Sequence, residues 1–161
     1  MDGSVELREL RRRLPDIAGA VLASTDGMLI ASEMAGDSNG VDAETVAALS
    51  AATLGLGQRF AATVHQGQLR ESVIQADGGC VVTYAAGTGG LLTVLGCPHA
   101  NLARMHMEAR RVAARLGRLV DGRPPAPPPQ RPAPAYGRQP LAARKPMATL
   151  APDLTARSST T

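Results

Sequence analysis

The sequence predicts an α+β fold in which helices and strands follow the order α-β-β-α-β-β-β-α. Two observations lead to this fold class. Apolar residues recur at helical spacing near the N-terminus, in the middle of the chain and around residues 101–120. Between these segments, short apolar runs are joined by Asp-Gly or Gly-rich turns, which is typical of antiparallel hairpins. Residues 1–121 are therefore expected to form one domain of packed helix and sheet layers.

The N-terminal segment is predicted to be a short amphipathic helix. Leu7, Leu10 and Leu14 recur at helical spacing, and Pro15 ends the pattern because proline lacks the N–H group that a helix needs. The arginines at 11–13 are expected to lie on the solvated side of this helix rather than in an anion site.

A β-hairpin is predicted next. The apolar runs 17–24 and 28–33 are joined through Asp26 and Gly27, and glycine tolerates the positive φ that a tight turn requires. Because the first run is apolar almost throughout, we expect it to be covered on both sides of the sheet.

The central helix is expected to be unusually apolar around its circumference. Asp42 is placed to cap it, and no charged residue occurs from Thr45 to Gly57. One stripe carries larger residues, namely Val46, Leu49, Thr53, Leu56, Phe60 and Val64. The remaining surface is small, with Ala47, Ala48, Ala51, Ala52, Gly55, Ala61 and Ala62. A helix with so little charge should be covered on two sides, one of them by its own sheet.

The C-terminal half is predicted to contain three strands and a helix. The run 69–76 is the most polar and is expected at an edge of the sheet, whereas 80–86 and 91–97 are apolar and 91–97 is expected to be central. Asn101 is placed to cap a helix that reaches residue 120. Its buried stripe is predicted to comprise Leu102, Met105, Ala109, Val112, Leu116 and Leu119.

Composition divides the chain at residue 122. Residues 122–161 contain ten of the 12 prolines and six basic residues against the single Asp153, which predicts an extended, disordered basic tail. Residues 1–121 carry 11 arginines and 13 acidic residues, and their near-neutral balance with few aromatics does not favour nucleic acid as a partner. No apolar run approaches the length of a membrane span, and a cytoplasmic location without membrane insertion is expected.

No catalytic, metal-binding or cofactor-binding pattern stands out. The segment Gly87–Gly90 lies between two predicted strands and lacks the residues of a phosphate loop, so it is interpreted as a hairpin turn. Cys80, Cys97, His99 and His106 lack the spacing of a metal site, and the two cysteines are expected to be reduced thiols. The protein is therefore predicted not to be an enzyme.

The chain resembles the roadblock/dynein light-chain family over about residues 4–121. The resemblance is carried by the order of elements and by the segment GAVLASTDGMLIAS at 19–32. The resemblance implies a five-stranded antiparallel sheet between one long central helix and two terminal helices. It also implies a homodimer formed through the central helix and the edge strand, which would cover the uncharged helix. The interface residues expected on this basis are Val46, Ala47, Ser50, Ala51, Leu54, Gly55, Arg70, Ser72 and Ile74.

Bacterial members that this sequence resembles, the MglB-type regulators, serve small Ras-like GTPases. Other bacterial relatives are encoded beside a GTPase and a sensor kinase-like protein, so this kinase-like protein is a second expected partner. Such partners would recruit the chain to the inner face of the membrane. Gln58, Arg59 and Ala62 are the expected contacts with the GTPase. Two alternatives remain, a small-molecule or redox sensor on a profilin-like scaffold and a structural adaptor without effect on GTP hydrolysis.

Overall fold

The computed structural model describes residues 2–36 and 40–122. It confirms the predicted order of elements, with boundaries that differ by one or two residues from those expected. The helices are α1 (Gly3–Arg13), α2 (Ala43–Thr63) and α3 (Leu102–Asp121). The strands are β1 (Ile17–Ser24), β2 (Leu29–Met34), β3 (Glu71–Ala76), β4 (Gly79–Ala86) and β5 (Gly90–Gly96). The predicted tail lies outside the described residues except for Gly122, and so do residues 37–39 of the loop before α2.

All strand pairs are antiparallel, and the order across the sheet is β2-β1-β5-β4-β3. β5 is central and β3 lies at an edge, as their apolar and polar compositions predicted. β1 is buried along almost its whole length, which confirms that both of its sides are covered.

Two hydrophobic clusters of unequal size hold the layers together. The larger cluster joins α1 and α3 to one side of the sheet, with Leu7, Leu10 and Leu14 of the N-terminal segment all buried in it. Met105, Ala109, Val112 and Leu116 are also buried there, while Leu102 and Leu119 are partly buried, so the predicted stripe of α3 is confirmed. The cluster under α2 contains only four fully buried residues, Val21, Ala23, Ala47 and Leu91.

α2 begins at the predicted cap and lies close to the sheet. The Asp42 carboxylate accepts a hydrogen bond from the backbone N–H of Thr45 at 2.9 Å, which satisfies a free donor of the first turn. In the β1–β2 turn, Gly27 has a φ of +88°, and a Cβ atom there would lie 3.2 Å from the Cα atom of Ala48. Glycine therefore allows both the tight turn and the close approach of α2.

The segment Gly87–Gly90 is the hairpin turn between β4 and β5. The N–H groups of Thr88 and Gly89 in this turn donate hydrogen bonds to a carboxylate of the same chain. Asp121, the last residue of α3, accepts hydrogen bonds from the backbone N–H and the hydroxyl of Thr88, both at 2.9 Å. The N–H of Gly89 donates to the same oxygen at 3.3 Å. The turn thus fastens the C-terminus of α3 to the sheet.

This contact predicts a measurable titration. The backbone hydrogen bond from Thr88, then its hydroxyl, lower the pKa of Asp121 below its ordinary 3.8, because both favour the ionised form. The contribution of this contact to the stability of the folded protein should be complete above about pH 4. It should be lost as the pH falls through the lowered pKa of Asp121 in the folded state. A carboxyl ¹³C NMR titration should place the Asp121 midpoint below 3.8 in the wild type, and Thr88→Val should raise it. A wild-type midpoint at or above 3.8 would contradict the hydrogen bonding seen here.

Candidate interaction surface

One side of α2 packs on the sheet through small side chains. Ala47 is fully buried and Ser50 is 4% exposed, while Val46, Ala51 and Leu54 are half-buried against the small cluster. These five residues were all expected in an interface with a second copy. For Ala47 and Ser50 that expectation is wrong, because their own sheet already covers them.

The outer side of α2 exposes large apolar side chains. Leu49 is 63% exposed, Leu56 72% and Phe60 70%. They are separated by seven and four residues, which aligns them along one side of a helix. No charged residue interrupts this side between Thr45 and Gly57. We call Leu49, Leu56 and Phe60, with the small exposed residues Ala52 and Gly55 between them, the outer stripe.

The outer stripe departs from the usual orientation of a helix on a sheet. Larger apolar side chains normally face a core, but here small residues face the sheet and Leu49, Leu56 and Phe60 are exposed. The close approach of α2 at Gly27 leaves room only for small side chains such as alanine and serine beneath the helix, and the larger residues are left exposed on its remaining surface. This arrangement agrees with the expectation that α2 is apolar on two sides.

The edge strand β3 adds an apolar margin beside α2. Ile74 is 47% exposed and opposes Val81 of β4, while Ser72 opposes Thr83. Thr83 shares a buried hydrogen bond of 3.2 Å with Thr93 of β5. Thr93 lies two residues after Leu91, which is buried under α2, so both are on the α2 side of the sheet. Directly opposed residues share a side, and Ile74 and Ser72 therefore lie on the α2 side as well. The outer edge of β3 has no strand beside it among the described residues.

Gln58 is a structural residue of the α2–β3 connection. Its side-chain oxygen accepts a hydrogen bond from the Leu69 N–H at 2.7 Å, and its side-chain amide donates to the Gly67 carbonyl at 3.3 Å. Both ends of its amide are thus used within the chain, and the expected contact of Gln58 with a partner stays a prediction. This connection also explains why β3 begins at Glu71 rather than at the expected residue 69.

The remaining predicted contact residues are accessible. Arg59 and Ala62 are exposed near the C-terminal end of α2, Gly55 faces open space, and Arg70 is exposed just before β3. Arg59 is the charged residue nearest to the outer stripe in sequence, immediately before Phe60. The structure thus brings a cation to one end of an otherwise uncharged surface.

A polar network lies on the opposite side of β3. Arg110 of α3 donates two hydrogen bonds to Glu71, at 2.8 and 2.6 Å, and this contact lowers the pKa of Glu71. The hydroxyl of Tyr84 lies 2.9 Å from Nδ1 of His106, and burial raises the pKa of Tyr84. The network borders an open groove of about 1040 Å³ beside Gln66. Within the network, Tyr84 is paired with His106 and Arg110 with Glu71.

The two cysteines, neither of which was expected to bind a metal, border the same small cavity. Cys80 and Cys97 are free, partly exposed thiols that line a cavity of about 180 Å³ at one end of the sheet. Residues 2–36 and 40–122 contain no group of three or more His, Cys, Asp or Glu placed to hold a metal ion. In the same ranges no helix has the length and apolarity that crossing a membrane demands.

Several solved structures share this fold. MglB from Thermus thermophilus, described as a gliding protein, is 22% identical, with 74% of this chain and 88% of that chain aligned at a TM-score of 0.68. A Roadblock/LC7 domain from Streptomyces avermitilis is 24% identical, covers 75% of this chain and 99% of its own, and also gives 0.68. An uncharacterized protein of Methanocaldococcus jannaschii is 33% identical over 100 residues, which are 62% of this chain and 84% of the relative.

The family comparison agrees with the fold. The model of the Roadblock/LC7 domain matches residues 4–96, from α1 to the end of β5. This range includes α2, the edge strand β3 and the hairpin at 19–32, which first indicated the resemblance. The match covers more than half of the chain. The chain belongs to the Roadblock/LC7 domain family.

Proposed function

We propose that this protein is a non-enzymatic homodimeric regulator that binds a small Ras-like GTPase. The observation that carries the proposal is the outer stripe of α2. A single helix rarely exposes three large apolar side chains in one uncharged row unless another protein covers them. Membership of the Roadblock/LC7 family and the fold shared with MglB support this function.

A second copy of the chain is the proposed cover for the outer stripe. Under twofold symmetry the same surface meets itself, and the small residues Ala52 and Gly55 would let two helices approach closely. Burying a leucine or phenylalanine side chain contributes roughly 1.5–3 kcal/mol before the cost of association is subtracted. The free edge of β3 would pair with its counterpart, and Ile74 would join the buried surface.

The GTPase would bind where the two copies meet, next to Arg59 and Ala62. Arg59 is exposed and provides a charge that can select a partner with a complementary carboxylate. The regulator would act by positioning the GTPase's own residues, because the expected contact surface offers no group for acid–base or nucleophilic chemistry.

The test is GTP hydrolysis by the Ras-like GTPase encoded nearest to this chain, measured with and without the purified protein. We expect stimulation in the presence of the wild type. Arg59→Gln should weaken the complex about tenfold, the usual scale for removing one charged contact at an interface. Arg118→Gln, which removes the same charge from α3, should leave it unchanged.

The alternatives give different results in this assay. A complex that forms with no change in hydrolysis would replace the regulatory function with that of an adaptor. If no complex forms with the dimeric protein, the GTPase proposal is wrong.

A further inference from the structure

Arginine is concentrated on the side of the domain opposite to α2. Of the 11 arginines in residues 1–121, four lie in α1 and five in α3. Both helices cover the same side of the sheet through the larger cluster. Along α3 the arginines recur at three-to-four-residue spacing, which aligns Arg104, Arg111, Arg115 and Arg118 on one side of the helix.

Two of the carboxylates on this side, Glu108 and Glu6, lie deeper than the guanidinium groups that they pair with. The side chain of Arg12 is 72% exposed and that of Arg111 62%, whereas the side chain of Glu108, which pairs with Arg111, is only 14% exposed. Glu6 is buried beneath Arg115. Glu9, which pairs with Arg12 and Arg13, is 41% exposed. The nine arginines of the two helices outnumber the five carboxylates that pair with them, so this side keeps a net positive charge.

Exposed apolar side chains are interspersed among these arginines. Val5 of α1 and Met107 of α3 are each 50% exposed. We call the surface formed by both helices the arginine face; its exposed members include Val5, Arg8, Arg12, Met107, Arg111 and Arg118. A mixture of cations with scattered apolar groups is typical of protein surfaces that lie in the headgroup layer of a bilayer.

We infer that the arginine face binds the surface of a membrane rich in anionic phospholipids. Guanidinium groups pair with phosphate oxygens through two hydrogen bonds, and each arginine held near an anionic surface adds to the attraction. Val5 and Met107 would enter the headgroup layer, whereas they have no role against a nucleic-acid backbone. After Gly122 the sequence continues with six basic residues and one acidic residue, so the full chain has a net charge of +3.

The dimer that is part of the proposed function would present two copies of the arginine face. Antiparallel pairing of two β3 edges about an axis normal to the sheet places both α2 helices on one side. Both arginine faces then lie on the other side and can meet one flat surface together, which raises the avidity. The GTPase site on α2 would remain open toward the cell interior.

The test uses the full chain and vesicles of phosphatidylcholine with or without 30% phosphatidylglycerol (roughly the anionic content that gives a strong surface potential). We expect binding to the anionic vesicles only, and loss of binding as the salt concentration rises. The double variant Arg12→Gln/Arg118→Gln should bind about thirtyfold more weakly, or roughly fivefold for each arginine. The matched single variants Arg118→Gln and Arg59→Gln remove one charge from the arginine face and one from the α2 side. The first should bind about fivefold more weakly, and the second should bind like the wild type.

Three results would overturn the inference. The first is a wild type that does not bind anionic vesicles. The second is an equal loss of binding in Arg118→Gln and Arg59→Gln, which would assign vesicle binding to net charge alone. The third is a DNA duplex that displaces the protein from vesicles at equal phosphate concentration, which would indicate nucleic acid instead. Light scattering of the two variants should show an unchanged mass, and a lost dimer would be a failure of the proposed function rather than of the arginine face.

Discussion

Replacing Leu56 by arginine is expected to halve the mass of the protein in solution. Leu56 is 72% exposed at the middle of the outer stripe, so the new side chain meets solvent in a single copy and should not disturb its fold. In the proposed dimer, twofold symmetry would bury two guanidinium groups close together in an apolar interface without partners. Their desolvation and mutual repulsion exceed what the remaining apolar contacts provide. Light scattering over a range of concentrations measures the mass directly.

Met107→Arg is the matched control for this experiment. Met107 is also an exposed apolar residue in a helix, at 50%, but it lies on α3 at the opposite side of the sheet. Its variant should keep the mass of the wild type. If Leu56→Arg has an unchanged mass, or if the wild type is already a monomer at micromolar concentration, the outer stripe is not the dimer interface.

The position chosen here differs from the one that the sequence suggests. Ala51 and Gly55 are the small residues at which an arginine would first be expected to block a close helix contact. Ala51 is half-buried on the sheet side, near Gly27, so an arginine there would damage the fold of the single chain. Gly55 faces open space and remains a useful second position.

The order of elements could be predicted because each element carries its own local signal. Asp42 and Asn101 both cap the helices as expected, and the apolar run at 17–24 is a strand covered on both sides. The rotation of α2 about its axis could not be predicted in this way. Both of its sides are apolar, and the choice between them depends on the distance between helix and sheet, which is set by the turn at Gly27.

Only those parts of the candidate site that have a local sequence signal could be predicted. The uncharged stretch 45–57 correctly identified an exposed apolar helix, and Ile74 is exposed at the edge as expected. The role of Gln58 depends on a loop nine to eleven residues away, whose path has no sequence signal. The depth of Glu108 and Glu6 below the arginines likewise follows from the packing of α1 on α3 and is invisible in the charge count.

The contact between Glu6 and Arg115 should be the most sensitive polar interaction in the domain. Glu6 is 5% exposed, and one of its oxygens accepts hydrogen bonds from Nε and Nη2 of Arg115 at 3.0 and 2.7 Å. The pair joins α1 to α3 across more than one hundred residues of sequence, so it fastens the two helices that form the arginine face. The side chain of Glu6 is only 7% exposed, whereas that of Arg115 is 30% exposed, so the carboxylate depends on the guanidinium more than the guanidinium depends on it.

Arg115→Met is therefore expected to destabilise the protein by about 3 kcal/mol, because it leaves the Glu6 carboxylate buried without a partner. The melting temperature should fall by about 10 °C. The double variant Glu6→Leu/Arg115→Met removes both charges and should recover most of this loss, since apolar side chains can fill the space between α1 and α3. Urea unfolding of the wild type, both single variants and the double variant measures the coupling free energy. Additive effects of the two substitutions would show that the pair contributes nothing beyond its separate contacts.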